Sequence, residues 1–213
     1  ILISLRHEAH VDFEGDYRIR VRERNSVQLD LRWEESMTLP LATRTIAEAL
    51  LLQYSIFNFG TEASKSIRAW PIEALSAEVY YGLRPGIFLE FLNRRRAQPE
   101  LSLTELAETL RATVSPASND GYWLFAAMKT SSLKRAAVVA LFQQALAGID
   151  IEEGLTAALP ASDLSAETVS GQAWLSGQIG ALLEQEYNVI ESMDISRAWL
   201  QALASLDEPI ALE

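Results

Sequence analysis

Residues 3–33 read ISLRHEAHVDFEGDYRIRVRERNSVQLDLRW, and their alternation decides the fold class. Successive side chains of a strand point to opposite faces. Ile3, Leu5, His7, Ala9, Val11 and Phe13 therefore share one face; Ser4, Arg6, Glu8, His10 and Asp12 share the other. Glu14-Gly15-Asp16 supplies turn chemistry. Tyr17, Ile19 and Val21 then oppose Arg18, Arg20 and Arg22. After Arg24-Asn25-Ser26, Val27, Leu29, Leu31 and Trp33 oppose Gln28, Asp30, Arg32 and Glu34.

Register follows from these faces, because a slip of one residue turns every side chain over. Two-residue loops would set the arginines against apolar residues; three-residue loops restore agreement. The expected pairing is an antiparallel meander with rows Phe13–Tyr17–Trp33, Val11–Ile19–Leu31 and Ala9–Val21–Leu29. On its charged face Asp12 meets Arg18, Glu8 meets Arg22, and Arg20 lies between His10 and Asp30. Cross-strand pairs of this kind contribute ~0.2–1 kcal/mol each, so consistency between rows carries the assignment.

From residue 38 the pattern is helical. Thr38-Leu39-Pro40 opens a helix to about Phe59, with Gly60 as its stop. Pro71 starts another that ends before Gly82, and a short one covers Ile87 to Arg96. Ser102-x-x-Glu105 is a capping box for Leu103 to about Thr113, and Val114 to Gly121 is a surface loop. Further segments fall at 121–129, 132–147 and 151–158. A long helix runs from Asp163 or Ser165 to about Met193, and Asp194 caps a last one to Leu206. In the long helix Ala173, Gly177 and Ala181 recur every four residues, a spacing that suits close approach of a neighbour in this chain or in a second subunit. The fold class expected is α+β: a three-stranded antiparallel meander (1–36) packed on a larger helical body (37–213) in one domain.

The 213 residues are 49% hydrophobic and 22% charged, the composition of a globular protein. No apolar run reaches the ~20 residues that span a bilayer, and nothing at the start resembles a signal peptide, so a soluble cytoplasmic protein is expected. The absence of cysteine excludes disulfides, thiol nucleophiles and cysteine-ligated metal centres. The net charge of −11 sits in the last third: residues 145–213 carry Arg197 against twelve acids. Such a surface repels phosphate backbones and reads as solvated helix faces.

Few residues suggest chemistry. His7 and His10 are the only histidines. Three apart on a strand, they face opposite ways and do not converge on a metal. The stripe Arg18-Arg20-Arg22-Arg24 resembles a phosphate track, but Glu8, Asp12 and Asp30 neutralise it. Arg94-Arg95-Arg96 suits a helix C-terminus, where cations meet free carbonyls, and is also able to bind an anion. Ser131-x-x-Lys134 has the spacing of penicillin-binding enzymes without their other elements, and reads as a cap. Leu103 to Met128 has the outline of a helix–turn–helix, yet its second segment is too apolar to read bases.

No catalytic, cofactor or metal set can be assembled. The leading expectation is a non-catalytic interaction or regulatory protein acting through helical surfaces on a protein partner or on itself. The alternative is an enzyme or small-molecule binder with a pocket between sheet and helices, lined by Trp70, Tyr80, Tyr81 and Trp123. A helix–turn–helix-like nucleic-acid binder comes third.

Overall fold

A computed structural model of the chain describes residues 1–6, 12–32, 37–107, 119–159, 171–185 and 201. Three strands form one sheet: β1 (Leu2–Arg6), β2 (Tyr17–Val21) and β3 (Val27–Arg32). Their order is β1-β3-β2, with β3 antiparallel to β2 but parallel to β1. The sheet is therefore mixed, and the expected antiparallel meander is corrected. A meander would put β2 in the centre and bury Arg18 and Arg20 under strands on both sides. With β3 central, the buried polar positions are Gln28 and Asp30, while arginines reach inward from both edges. Centring the strand with the least charge to bury is the cheaper arrangement.

The β2–β3 register pairs Tyr17 with Leu31, Ile19 with Leu29 and Val21 with Val27. This lies two residues from the expected pairing, and a shift of two preserves both faces. The loop has three residues as expected, but they are Glu23–Asn25, wound as a 3-10 turn with Asn25 at φ 57°. Gln53 pins this turn to the helix below, accepting from the Val27 N–H at 2.7 Å and donating to the Asn25 carbonyl at 3.0 Å. His7 to Val11, Trp33 and Glu34 lie outside the described residues, and with them the expected Glu8–Arg22 and His10–Arg20 contacts.

On the polar face the Asp30 side chain is fully buried. It accepts from Gln28 Nε2 (2.6 Å), Arg20 Nη2 (2.6 Å) and Arg18 Nη2 (3.4 Å), and Arg6 Nε lies 3.7 Å away. Arg18 also reaches Asp12 at 2.9 Å, the pair expected from the sequence. Burial raises the Asp30 carboxyl's pKa, but the Gln28 hydrogen bond and the Arg20 and Arg18 guanidiniums outweigh it and hold it below the usual carboxylate value. A depressed folded pKa contributes stability that is present above the unfolded value, near 4, and is lost as pH falls through the folded one. Asp30→Asn is expected to cost about 1–3 kcal/mol at pH 7. Urea melts from pH 7 to 2 should show that penalty shrinking below pH 4.

Eight α-helices follow among the described residues: α1 (Leu39–Ala63), α2 (Trp70–Leu83), α3 (Pro85–Ala97), α4 (Leu103–Leu106), α5 (Asp120–Thr130), α6 (Arg135–Leu146), α7 (Ile151–Ala158) and α8 (Gly171–Glu184). Thr38 caps α1, its Oγ1 accepting from the Leu41 N–H. Gly60, the expected stop, leaves helical geometry at φ 87°, ψ 169°, a region open to glycine. Asp150 caps α7, accepting from the Glu152 N–H at 2.9 Å. The helix expected to reach Met193 is described only as α8, and the one expected after Asp194 lies outside the described residues, as do the loop 114–118 and the extension of α4 beyond Ala107.

Helix α1 serves two interiors. Ala49 and Ile56 pack beneath Val27, Leu29 and Leu31 of the sheet, and Ala47 and Leu51 join Ile67, Ile72 and Leu146 on the other side. The largest cluster gathers α2 through α8 around Trp70, Trp123, Phe125 and Phe142. No helix among the described residues is long and apolar enough to cross a membrane.

Candidate functional site

Three helices and one loop residue enclose a cleft of about 420 Å³. The start of α1 contributes Pro40, Leu41, Thr43 and Arg44, with Thr38 before it; α2 contributes Ser76, Ala77, Tyr80 and Tyr81; α3 contributes Ile87 and Arg94; and Asn119 closes one end. The spacings are those of single helix faces: 40/44 on α1, 77/80/81 on α2, and 87/94, two turns apart, on α3. Two arginines from different helices thus face one space, and among the described residues no acidic one lines it. Among the described residues neither guanidinium lies within 4 Å of a carboxylate. Glu48, one turn beyond Arg44, is the carboxylate that feels it; burial raises the Glu48 pKa, and Arg44 and the Tyr17 hydroxyl partly offset this.

Tyr81 forms the floor. Its ring stacks on Phe91 at 4.6 Å and meets Phe88 and Tyr122 edge-on. Burial pushes its pKa up to about 12, against the opposing pull of Arg94, so the phenol is neutral at any physiological pH. The cleft therefore presents two positive charges, the neutral Tyr81 phenol, uncharged polar groups of Thr38, Thr43, Ser76, Tyr80 and Asn119, and an apolar part formed by Pro40, Leu41, Ala77 and Ile87. A neighbouring cleft of about 410 Å³ shares Arg94 and contains Arg95, Glu100, Glu105 and Asp120. There Arg95 is engaged with the Asp120 carboxylate and with the carbonyls of Gln98 and Glu100. Burial raises the Asp120 pKa, with Arg95 opposing.

The triplet Arg94-Arg95-Arg96 thus divides its labour. Arg95 locks the start of α5. Arg96 donates to the Leu183 and Gln185 carbonyls at 3.0 and 3.2 Å, capping the end of α8. Arg94 is left facing the cleft.

The residues singled out in the sequence are dispersed. Tyr80 and Tyr81 line the cleft, whereas Trp70 and Trp123 are buried in the main core and Trp123 only backs the neighbouring one. Among the described residues no strand residue lines the cleft. Ala173, Gly177 and Ala181 lie on the exposed side of α8, whose buried side is Trp174, Leu175 and Ile179. All residues from Gly121 to Met128 are buried, so α5 offers no base-reading face. Ser131 accepts from the Leu133 N–H and donates to the Met128 carbonyl, holding the α5–α6 turn. Arg44 carries no sequence signal, since an isolated arginine on an amphipathic helix is unremarkable until its neighbours are known.

No protein-family model, no curated protein and no solved structure matches this chain.

Proposed function

We propose that this protein is a non-catalytic binding protein, cytoplasmic in setting, that holds a small organic anion in the cleft between α1, α2 and α3. The observation that carries this reading is the convergence of Arg44 and Arg94 on one space that no acid lines among the described residues. A guanidinium pairs with carboxylate or phosphate oxygens through a planar fork, and two of them set at an angle orient the group. A volume of about 420 Å³ suits a small molecule.

The test is calorimetric titration of the protein with carboxylates and phosphates, repeated on Arg44→Ala and Arg94→Ala. Each substitution is expected to weaken binding at least tenfold, about 1.4 kcal/mol. A bound ligand at one hundred times its dissociation constant adds about 2.7 kcal/mol of stability, readable as a raised melting temperature. If no anion binds through these arginines, the reading falls.

A second reading, attachment of a protein partner or a second copy, is favoured by the outer face of α1. Phe57 is 80% exposed, and Leu50, two turns before it on the same face, is 45% exposed. Phe57→Ser should abolish any self-association seen by sedimentation.

A further inference from the structure

We infer that the occupant of the cleft is a singly charged organic acid with an aromatic or branched apolar body, a monocarboxylate, and not a phosphate, a nucleotide or a polyanion. This inference rests on the anion-binding reading and narrows it.

The argument against phosphate starts from the backbone. Phosphate sites at helix starts draw on free N–H groups of the first turn, commonly in glycine-rich loops. At the start of α1 that supply is largely spent. Pro40 has no N–H, the Leu41 N–H donates to Thr38 Oγ1, and the Ala42 N–H donates to the Thr38 carbonyl at 2.9 Å. Among the described residues no glycine and no lysine lines the cleft. Charge recognition is left to two guanidinium forks, beside the uncharged hydroxyls of Thr38, Thr43, Ser76 and Tyr80 and the Asn119 amide, and the carboxylate of Glu48 beyond Arg44 offsets part of the positive field. That field suits one negative charge better than two or three.

The apolar body follows from the opposite end. Ile87 lines the cleft with about a third of its surface in water, joined by Pro40, Leu41, Ala77 and the Tyr80 ring. Ile87 and Arg94 stand seven residues apart on one face of α3, about 10 Å along the axis at 1.5 Å per residue. A ligand held by its head at Arg94 and covering Ile87 is therefore about 10 Å long and apolar at its far end. A bare anion would leave this wall wet.

The test is a titration of the full chain with 3-phenylpropionate, acetate, inorganic phosphate, citrate and AMP. Phenylpropionate is expected to bind at least tenfold tighter than acetate, phosphate, citrate or AMP. Ile87→Ser should weaken phenylpropionate about fivefold and leave acetate unchanged, while Arg44→Ala and Arg94→Ala weaken both. If phosphate, citrate or AMP binds as tightly as phenylpropionate and depends on the arginines, this inference is overturned and the anion-binding reading stands. If no compound depends on the arginines, that reading itself falls. The ranking on the unmodified protein decides the matter even where a variant fails to fold.

Discussion

Replacing Lys129 by Met will cost the fold about 3–5 kcal/mol, while the double replacement Glu78→Leu/Lys129→Met will recover most of it. Glu78 lies on the buried side of α2, and Lys129 reaches it from the end of α5. Nζ stands 2.6 Å from Oε1, with side-chain exposures of 7% and 1%. The ammonium also lies 4.9 Å from the centre of the Phe125 ring and 6.0 Å from that of Tyr122, whose faces favour a cation. Glu78 Oε2 has no hydrogen-bond partner, so the carboxylate depends on this one contact. Removing the lysine strands a negative charge among aromatic rings, whereas removing both partners leaves only apolar surface to repack. Urea unfolding of the single and double variants measures this. The pair Lys65–Glu62, just as short but exposed at both ends, is the control and should change stability by less than about 1 kcal/mol on Lys65→Ala. A Lys129 variant as mild as that control would contradict the account.

Gly121→Ala is the second large effect, expected at about 3 kcal/mol, the upper end of what overpacking usually costs. A methyl group at this position would meet the Trp70 carbonyl oxygen at 2.3 Å, and the Trp70 Cα and carbonyl carbon at 2.8 and 2.9 Å. All three are backbone atoms, so no side-chain rotation relieves the clash; α5 would have to move off α2. The same movement would stretch the 3.0 Å hydrogen bond from the Gly121 N–H to Glu73 Oε2, a buried contact between these helices. Gly82→Ala, where the added carbon meets nothing within 4 Å, should be neutral or slightly stabilising because alanine is the better helix former. Thermal melts of the two variants should differ by about 6–12 °C if the close approach is as tight as these distances imply; equal melting temperatures would refute it.

The candidate site was legible in parts. Tyr80 and Tyr81 were expected, with Trp70 and Trp123, in a pocket between sheet and helices, and they line a cleft between helices instead; Arg94 was a member of a cationic triplet able to bind an anion. Which of the three arginines stays free was not legible, because Arg95 and Arg96 are engaged by Asp120 and by the end of α8, 25 and 87 or more residues away. Trp70 and Trp123 look like pocket residues for the same reason they make good core: a large ring with one polar atom fits both descriptions.

Residues 3–33 determined by themselves that there would be strands, how many, and which side chains would share a face, since alternation with period two is a local property of the extended chain. The shift of two residues in the β2–β3 pairing left those faces intact for the same reason. Strand order was a different matter. Whether β2 or β3 takes the centre depends on what covers each face and on which charges find partners there, and only the packed structure sets Arg6, Arg18 and Arg20 around Asp30 from both edges. The cleft belongs to this second kind: Arg44 and Arg94 are fifty residues apart in sequence and line one cleft only because α1, α2 and α3 pack around it. Local periodicity writes elements and their faces; the balance of burial and charge between distant segments decides where those faces meet.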